Sequence, residues 1–598
     1  MKTQTKLLTF LFFIISTFIF SQKNFNEKLL DKKLTALQEV TKTVGFSVAI
    51  VKENEVIYSK GFGYSNLEKK IKTDENTLFA IGSSSKAFTV ALLGIMEEEK
   101  GLSFNDSPKK YIPELNFYNK ELNNEVTILD MISHRTGLPR HDFSWYLFPI
   151  ENKDSLLARV KYHKPFTGIR KQWYYNNFMY LAQGIITEKL TNKSWEENIR
   201  ERFFKPLNMS RSNLNIKELQ NTTNVSKGYV LENFTTNKVI PYYNIAAISP
   251  AGSINSSAKE MSNWLKVWLN DGKFNDNQIL PKKYIQKAMN PLMLVGSGIA
   301  DEKFPDQHLN SYGFAWFTSS YKGHYRLEHG GNIDGFSANV ALFPTDKIGI
   351  VVLTNQDSSA LPTLVRNAIS DEVLDLEKTD WKTYYEEKID KLKQSQKKAK
   401  ENEKSSIILN TKPSHSLIEY AGKYNHPGYG DFKIKLQNDS LFAHFTIKKM
   451  YLSHKHYDVF IPYIIEDNKL DTISDLGIYF NFQTNNLGDI SSTKLKLEPT
   501  LDDIIFKRTP EEVDITKEIL NKYVGLYSLS GTELKIFLKE ENLMLFVPGQ
   551  PEYTLTPIKE NEFMIKGLTG YKARFEVNKS TLNLVLIQPN GTFTAIKK

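Results

Sequence analysis

The sequence predicts an α/β (α+β) architecture: a mixed domain with a largely antiparallel sheet flanked by helices, followed by all-β modules. Alternating apolar runs stand at both ends of the first 378 residues, with helical and loop segments between them. Past a charged stretch the pattern turns to short strands, and one short motif recurs there. At 598 residues the chain also exceeds what a single core serves.

The opening MKTQTKLLTFLFFIISTFIFSQ has a short positive region, an apolar run from Leu7 to Phe20, then Ser21 and Gln22. That layout predicts a signal peptide over residues 1–21 and a periplasmic or secreted protein with no stable membrane insertion after cleavage. The run is short for a bilayer crossing. A helical segment follows, then GFSVAIV and VIYSKGFGYSN around a polar turn, which read as a hairpin with Phe46, Val48 and Ile50 on one face. HYRLEHGG and a second hairpin, GFSANVALF with IGIVVLTNQ, close the mixed domain, and LPTLVRNAISDEVLDL reads as an amphipathic helix. The domain is expected over residues 23–378. Residues 379–412 are rich in charge and poor in core positions, and predict a solvated helical linker. LIEYAGKY (417–424) and LNKYVGLY (520–527) share Y-x-G-x-Y, so two similar β modules are expected, over 413–509 and 510–598.

The net charge of +9 comes from lysine dispersed among Asp and Glu, which reads as a solvated surface with no nucleic-acid partner. Cysteine is absent, which excludes disulfides, thiolate metal sites, a cysteine nucleophile and a lipidated N-terminal cysteine. No cofactor and no metal are expected. The expected partner is a small-molecule or peptide substrate.

The stretch LFAIGSSSKAFTVALLGIMEEEKGL carries Ser83 and Lys86 one helical turn apart, on one face. The segment after Ser83 is apolar all round, so the helix must be buried. Burial favours a neutral lysine able to accept a proton from a nucleophilic serine. Five other Ser-x-x-Lys matches (Ser107/Lys110, Ser256/Lys259, Ser319/Lys322, Ser395/Lys398, Ser491/Lys494) lie in polar surroundings. Ser84 and Ser85 read as helix-cap residues.

LFAIGSSSKAFT, LSFNDSPKKYIPEL, ILDMISHRTGLP, YYNNFMYLAQGIITEKL, FFKPLNMSRS, YGFAWF and HGGNIDGFSANVALFPTDKIGIVVLTN follow one another in order. Together they resemble the serine β-lactamase and penicillin-binding superfamily, and most the class C β-lactamase-like branch with its esterases and D-amino-acid peptidases. The resemblance implies a serine β-lactamase/transpeptidase-like domain, a Ser83 nucleophile and an acyl-enzyme. It also implies a Tyr-x-Asn element after the nucleophile. Tyr175 and Asn177 fit that order, with Tyr174/Asn176 as the competing register. Tyr64 and Asn66 match the letters but precede Ser83. Tyr175 beside Lys86 would share the proton work as a phenolate, and Asn177 would bond Lys86 and the substrate carbonyl. Where β-lactamases carry Lys-Thr-Gly this chain has His329, Gly330 and Gly331. The amide of Asn332 would complete the oxyanion hole with that of Ser83. A histidine there is mostly neutral, which points away from antibiotic hydrolysis and toward esterases and peptidases.

Rival readings are a D,D-carboxypeptidase or β-lactamase, and a non-catalytic peptidoglycan or peptide sensor on the same scaffold. No G-x-S-x-G or H-E-x-x-H motif occurs. His454 and His456 read as a packed or exposed pair, His134 as a loop anchor. The C-terminal modules resemble the lipocalin-like extensions of some relatives, which implies control of access to the site or homo-oligomer formation.

Overall fold

In a computed structural model, residues 26–598 are described apart from 301–302, 467–468, 472–476, 569 and 579–580. The expected signal peptide lies outside the described residues. No described helix is long and apolar enough to cross a membrane.

The alternating segments pair as one sheet. β1 (Gly45–Lys52) and β2 (Glu55–Asn66) form the first hairpin, extended by β3 (Ile71–Lys72). From the far end of the domain come β4 (Met293–Ser297), β5 (Leu309–Tyr312), β6 (Phe317–Tyr321), β7 (His324–Ile333), β8 (Phe336–Phe343) and β9 (Ile348–Thr354). The order is β4-β5-β6-β7-β8-β9-β1-β2-β3. β9 lies antiparallel to β1 from Phe46↔Thr354 to Lys52↔Ile348, so the two ends of the domain meet inside the sheet.

Both faces of the central strands are covered. The long helices of this domain are α1 (Glu27–Thr41), α2 (Lys86–Lys100), α3 (Asn177–Thr191), α4 (Ala258–Leu269) and α5 (Leu361–Val373). Phe46, Val48 and Ile50 pack with Leu34 of α1 and Val365 of α5. Ala49 and Val51, pointing the other way along the same strand, join a larger core with α2, α3 and α4. Helix α2 is buried from Lys86 to Met96, as its all-round apolar sequence requires. It ends at Gly101 (φ +66), a left-handed position that suits glycine.

Helix α6 (Trp381–Ser405) follows, anchored where the Trp381 indole donates to Asp371 Oδ2 at 2.9 Å. Two barrels complete the chain. In the first, eight strands from Gly422–His426 to Ile504–Thr509 form a ring, closed where these two pair. In the second, eight strands from Gly525–Leu529 to Gly591–Lys597 close likewise. The repeated motif does the same work in both. Tyr424 donates to the Tyr420 carbonyl at 2.8 Å, and Tyr527 to that of Tyr523 at 2.7 Å. A Cβ on Gly422 would meet the Thr509 backbone oxygen at 2.7 Å, and the second tyrosine of each motif pairs with the last strand of its barrel, Tyr424 with Arg508 and Tyr527 with Lys597.

Residues 140–148 run between the mixed domain and the first barrel. Phe148 lies 5.4–6.4 Å, ring to ring, from Tyr429, Phe432, Phe445 and Phe506 and belongs with Leu147 to the barrel's core. The Gly428 carbonyl accepts from Ser144 Oγ (2.7 Å) and His163 Nε2 (3.0 Å). Tyr429 donates to His141 Nδ1 (2.8 Å), whose Nε2–H donates to the Lys164 carbonyl (3.2 Å). The His141 and His163 rings stack at 4.2 Å.

Burial holds His141 and His426 down at about 4 and His163 well below the usual histidine range. Each binds a proton more weakly folded than unfolded. Their stabilising contribution is therefore whole above about pH 6.5 and is lost as the pH falls toward the folded values. Hydrogen exchange of amides 141–148 and 426–430, corrected for intrinsic rates, should quicken as the pH drops from about 7 to about 4.5. Constant protection over that window would contradict this account of the junction.

Candidate active site

Ser83 sits on a 3₁₀ turn, Gly82–Ser85, that leads into α2. Its two neighbours are buried, and their hydroxyls tie the turn down rather than cap the helix. Ser84 Oγ donates to the His329 carbonyl at 3.1 Å, and Ser85 Oγ accepts from the Ile254 amide at 3.1 Å. The cap role expected of this pair is replaced by two tertiary bonds, because the turn is pressed between β7 and residues 251–254.

Lys86 is fully buried. Burial first, then the charge of Arg140, pulls its pKa well below the ordinary lysine range, which favours the neutral amine. A neutral amine has two N–H donors and one lone pair. Two acceptors stand within reach, Asn177 Oδ1 at 2.7 Å and the Ala251 carbonyl at 2.6 Å. Asn177 Nδ2 donates to Asp142 Oδ1 at 2.9 Å, which fixes the amide so that its oxygen faces the lysine. In that neutral form both N–H groups are taken and the lone pair faces the Ser83 hydroxyl, 3.1 Å away, so Ser83 donates; in the protonated form Lys86 donates to Ser83.

The Tyr175 ring centre lies 4.8 Å from Lys86 Nζ. Burial drives its phenol pKa upward, opposed in part by Ser83 and by Arg140. The lysine-stabilised phenolate expected from the sequence is thus reversed: desolvation outweighs the neighbouring charge, and the phenol keeps its proton. The phenol faces Ser83 but makes no hydrogen bond of ordinary geometry.

Behind it, Tyr180 donates to the Ile132 carbonyl (2.8 Å) and lies 3.2 Å from the Tyr312 oxygen, which reaches His329 Nε2 at 3.1 Å. His329 Nδ1 faces the Gly330 carbonyl at 2.6 Å and so carries the ring proton. His329 is 2% exposed, and burial holds its pKa down at about 3. It is a neutral group behind the cleft, turned away from the cavity. His134 accepts from the Asn176 amide through Nδ1, and its carbonyl accepts from the Tyr174 amide, so it anchors the loop before α3.

Strand β7 runs tight against the serine turn. A Cβ on Gly331 would stand 1.9 Å from the Ile81 carbonyl oxygen and 3.1 Å from the Ser83 nitrogen, and one on Gly82 would meet the Asn332 nitrogen at 2.8 Å. These contacts bring the backbones of Ser83 and Asn332 together at the mouth of a cavity of about 280 Å³. Gly330 has room for a side chain, its nearest neighbour being Ala338 O at 3.6 Å. The cavity lining also includes residues sequence reasoning passed over: Arg140, Asp142, Trp145 and Tyr146. They follow the Gly-Leu-Pro of the ILDMISHRTGLP motif directly, which is the one signal that could have pointed to them.

The competing candidates lie elsewhere. Tyr64 is a β2 residue under Lys72 (4.0 Å to the ring), and Asn66 caps the Lys69 amide. Asn176 caps α3 through the Met179 amide and leaves the lysine to Asn177. His454 Nε2 meets the Tyr457 carbonyl, and His456 Nδ1 lies 3.5 Å from the Ile408 amide. Among the described residues no group of His, Asp and Glu is arranged to hold a metal.

The Beta-lactamase family pattern matches residues 30–374, and a domain of unknown function (DUF3471) matches 408–508. Protein flp of Staphylococcus aureus (strain N315) is 28% identical over 335 residues, 54% of this chain and 62% of the relative. The chain thus spans less than two thirds of that relative's length. The unguisins hydrolase ungD' of Aspergillus campestris (strain IBT 28561) is 26% identical over 407 residues, 65% of this chain and 74% of the relative. Among solved structures, the octameric penicillin-binding protein homologue from Pyrococcus abyssi aligns with a TM-score of 0.54 and 20% identity, over 80% of this chain and 99% of that one. A likeness at that identity concerns the fold.

The crowding at β7 separates its two glycines. Gly331→Ala should lower thermal stability by about 1–3 kcal/mol, since the strand must part from the turn. Gly330→Ala should melt with the native chain in the same scan. Equal melting of both variants would remove the close approach as the reason for the pair.

Proposed function

The chain belongs to the beta-lactamase family, and from that premise we propose that it is an exported serine hydrolase that cleaves an ester or amide bond through an acyl-Ser83 intermediate. The observation that carries this reading is the fully buried Lys86 amine, 3.1 Å from the Ser83 hydroxyl and held by Asn177 Oδ1 and the Ala251 carbonyl. As Ser83 Oγ bonds to the substrate carbonyl carbon, its proton passes to Lys86 Nζ. The carbonyl electrons move onto oxygen, held by the amides of Ser83 and Asn332. When the tetrahedral adduct collapses, the bond to the alcohol or amine breaks. The leaving group takes a proton from Tyr175, which regains one from Lys86. Water then attacks the acyl carbon, gives up a proton along the same path, and Ser83 leaves with its own restored.

Asn177 acts as orienter, holding the amine toward the serine. His329 supports the strand that carries Asn332, and as a neutral buried group it supplies no charge to a substrate. The hydrolase named among the relatives supports the reaction class. Export rests on the N-terminal layout, a short positive region followed by an apolar run from Leu7 to Phe20. Self-association would use the second barrel, which exposes Val577, Ile596 and Leu526. N-terminal sequencing and light scattering of the recovered protein test these two points. A start near residue 22 and a mass above 68.8 kDa are expected.

A screen of p-nitrophenyl esters, D-amino-acid amides and nitrocefin should find turnover that Ser83→Ala lowers by about 10³-fold or more. Fluorophosphonate should label Ser83. Because burial favours the neutral base, kcat/KM should be level from about pH 7 to about pH 9, where an ordinary lysine would make it climb tenfold per unit. Absence of an adduct on Ser83 would favour a non-catalytic sensor.

A further inference from the structure

The strand that brings Asn332 to the cavity is least supported where the chemistry needs it. The β6 pairing ends at Phe317↔Glu328, so among the described residues the stretch from His329 to Ile333 has only β8 as a neighbouring strand. Two of those five residues are glycines, the residue type with the most backbone freedom. Two side chains hold the stretch. Ser84 Oγ donates to the His329 carbonyl at 3.1 Å, and His329 Nδ1–H donates to the Gly330 carbonyl at 2.6 Å. The second bond pins the first glycine's peptide, and it depends on how the imidazole ring is oriented.

The ring belongs to a row of buried groups whose hydrogens can be counted. Tyr180 donates to the Ile132 carbonyl (2.8 Å), and its oxygen lies 3.2 Å from that of Tyr312. Tyr312 reaches His329 Nε2 at 3.1 Å. Both ends of the row, Ile132 and Gly330, are carbonyls, which only accept. Burial pushes both phenols well above their usual range and keeps His329 neutral. Two phenols and one neutral imidazole bring three hydrogens to four contacts. The Tyr180 hydrogen goes to Ile132 and the imidazole hydrogen to Gly330, so Tyr312 has one hydrogen for two acceptors. The imidazole nitrogen is the stronger acceptor and the nearer, and takes it. Phe317 packs 4.8 Å from the Tyr312 ring and 5.5 Å from the His329 ring, in surroundings where a bare nitrogen would be costly.

We propose that Tyr312 is a positioning residue of this site: its phenol holds the His329 ring, the ring holds the Gly330 peptide, and that peptide sets the Asn332 amide where the oxyanion forms. This rests on the hydrolase reading above. Tyr180 supports the row from behind, since spending its own hydrogen on Ile132 leaves that of Tyr312 for the histidine. Tyr312 ends β5 and opens the YGFAWF motif, away from the cavity lining.

Tyr312→Phe removes one buried oxygen and keeps the ring. p-Nitrophenyl acetate hydrolysis by the full-length chain is corrected for the Ser83→Ala rate and expressed per fluorophosphonate-labelled site. Tyr312→Phe should lower kcat about tenfold or more and leave KM within about threefold. His329→Asn keeps a donor near the Nδ1 position and gives the phenol no acceptor. In that background Tyr312→Phe should cost less than about twofold. Nitrogen NMR of the native chain with isotopically labelled histidine, His329 being assigned by its loss in His329→Asn, should show Nδ1 protonated and Nε2 bare. Nε2 should move downfield in Tyr312→Phe as its donor goes. A protonated Nε2 in the native chain, an Nε2 signal or a kcat indifferent to Tyr312→Phe, or an equal kcat loss in both backgrounds overturns the proposal. If the native chain and Ser83→Ala hydrolyse the ester alike while the nitrogen signals behave as stated, the hydrolase reading fails and the hold on the His329 ring stands.

Discussion

A lysine kept out of water is the constraint on which the rest of this molecule depends. Full enclosure, helped by the charge of Arg140, holds the pKa of its amine well below the ordinary lysine range. Hence α2 is apolar on every side, Gly331 brings β7 onto the serine turn, and Asn177 and the Ala251 carbonyl accept from the amine. At any pH between the folded and ordinary lysine values, such burial costs about 1.4 kcal/mol of folding stability per unit separating that pH from the ordinary value. The large core around α2, α3 and α4 offsets that cost.

The cleft lies in the mixed domain, and the first barrel backs one stretch of its lining. Asp142, Trp145 and Tyr146 face the cavity, while His141, Ser144, Leu147 and Phe148 face the first barrel. One short segment thus passes the rigidity of the barrel to that stretch of the lining. Glu498 of the barrel is buried beside Asp142 and Arg140, with its carboxyl pushed up to about 7 by burial and by the Asp142 charge. The electrostatics of that stretch are therefore set partly by a residue far away in sequence.

Much of this was legible in the sequence, for physical reasons. The two hairpins showed as alternation, because their strands bury side chains on defined faces. Ser83 and Lys86 stood out from five similar spacings because only theirs lay in an apolar helix. Chain order set Asn177 apart from Asn66 and left Asn176 in competition, and the structure gives these two different work, one on the lysine and one on the helix end. The Y-x-G-x-Y repeat announced two modules, since each copy closes a barrel. What stayed hidden depended on contacts between distant residues. The protonation of Tyr175 follows from enclosure that no local pattern encodes, and Arg140 and Asp142 gain meaning only once their loop is seen lining the cavity. Ser84 and Ser85 looked like caps because their partners, His329 and Ile254, lie far along the chain.

The Phe148 side chain fills the end of the first barrel, and its place has a bearing on how the polypeptide is made. The ribosome completes the mixed domain before it reaches Tyr429, Phe432 and Phe506. Until then Leu147 and Phe148 lack the barrel core they belong to, and their loop is held by the mixed domain alone, through Asn177 on Asp142 and Arg159 on the Phe148 carbonyl. A nascent chain thus has Ser83 and Lys86 in place early, and the loop behind Asp142 and Trp145 gains its second support only after Phe506 emerges.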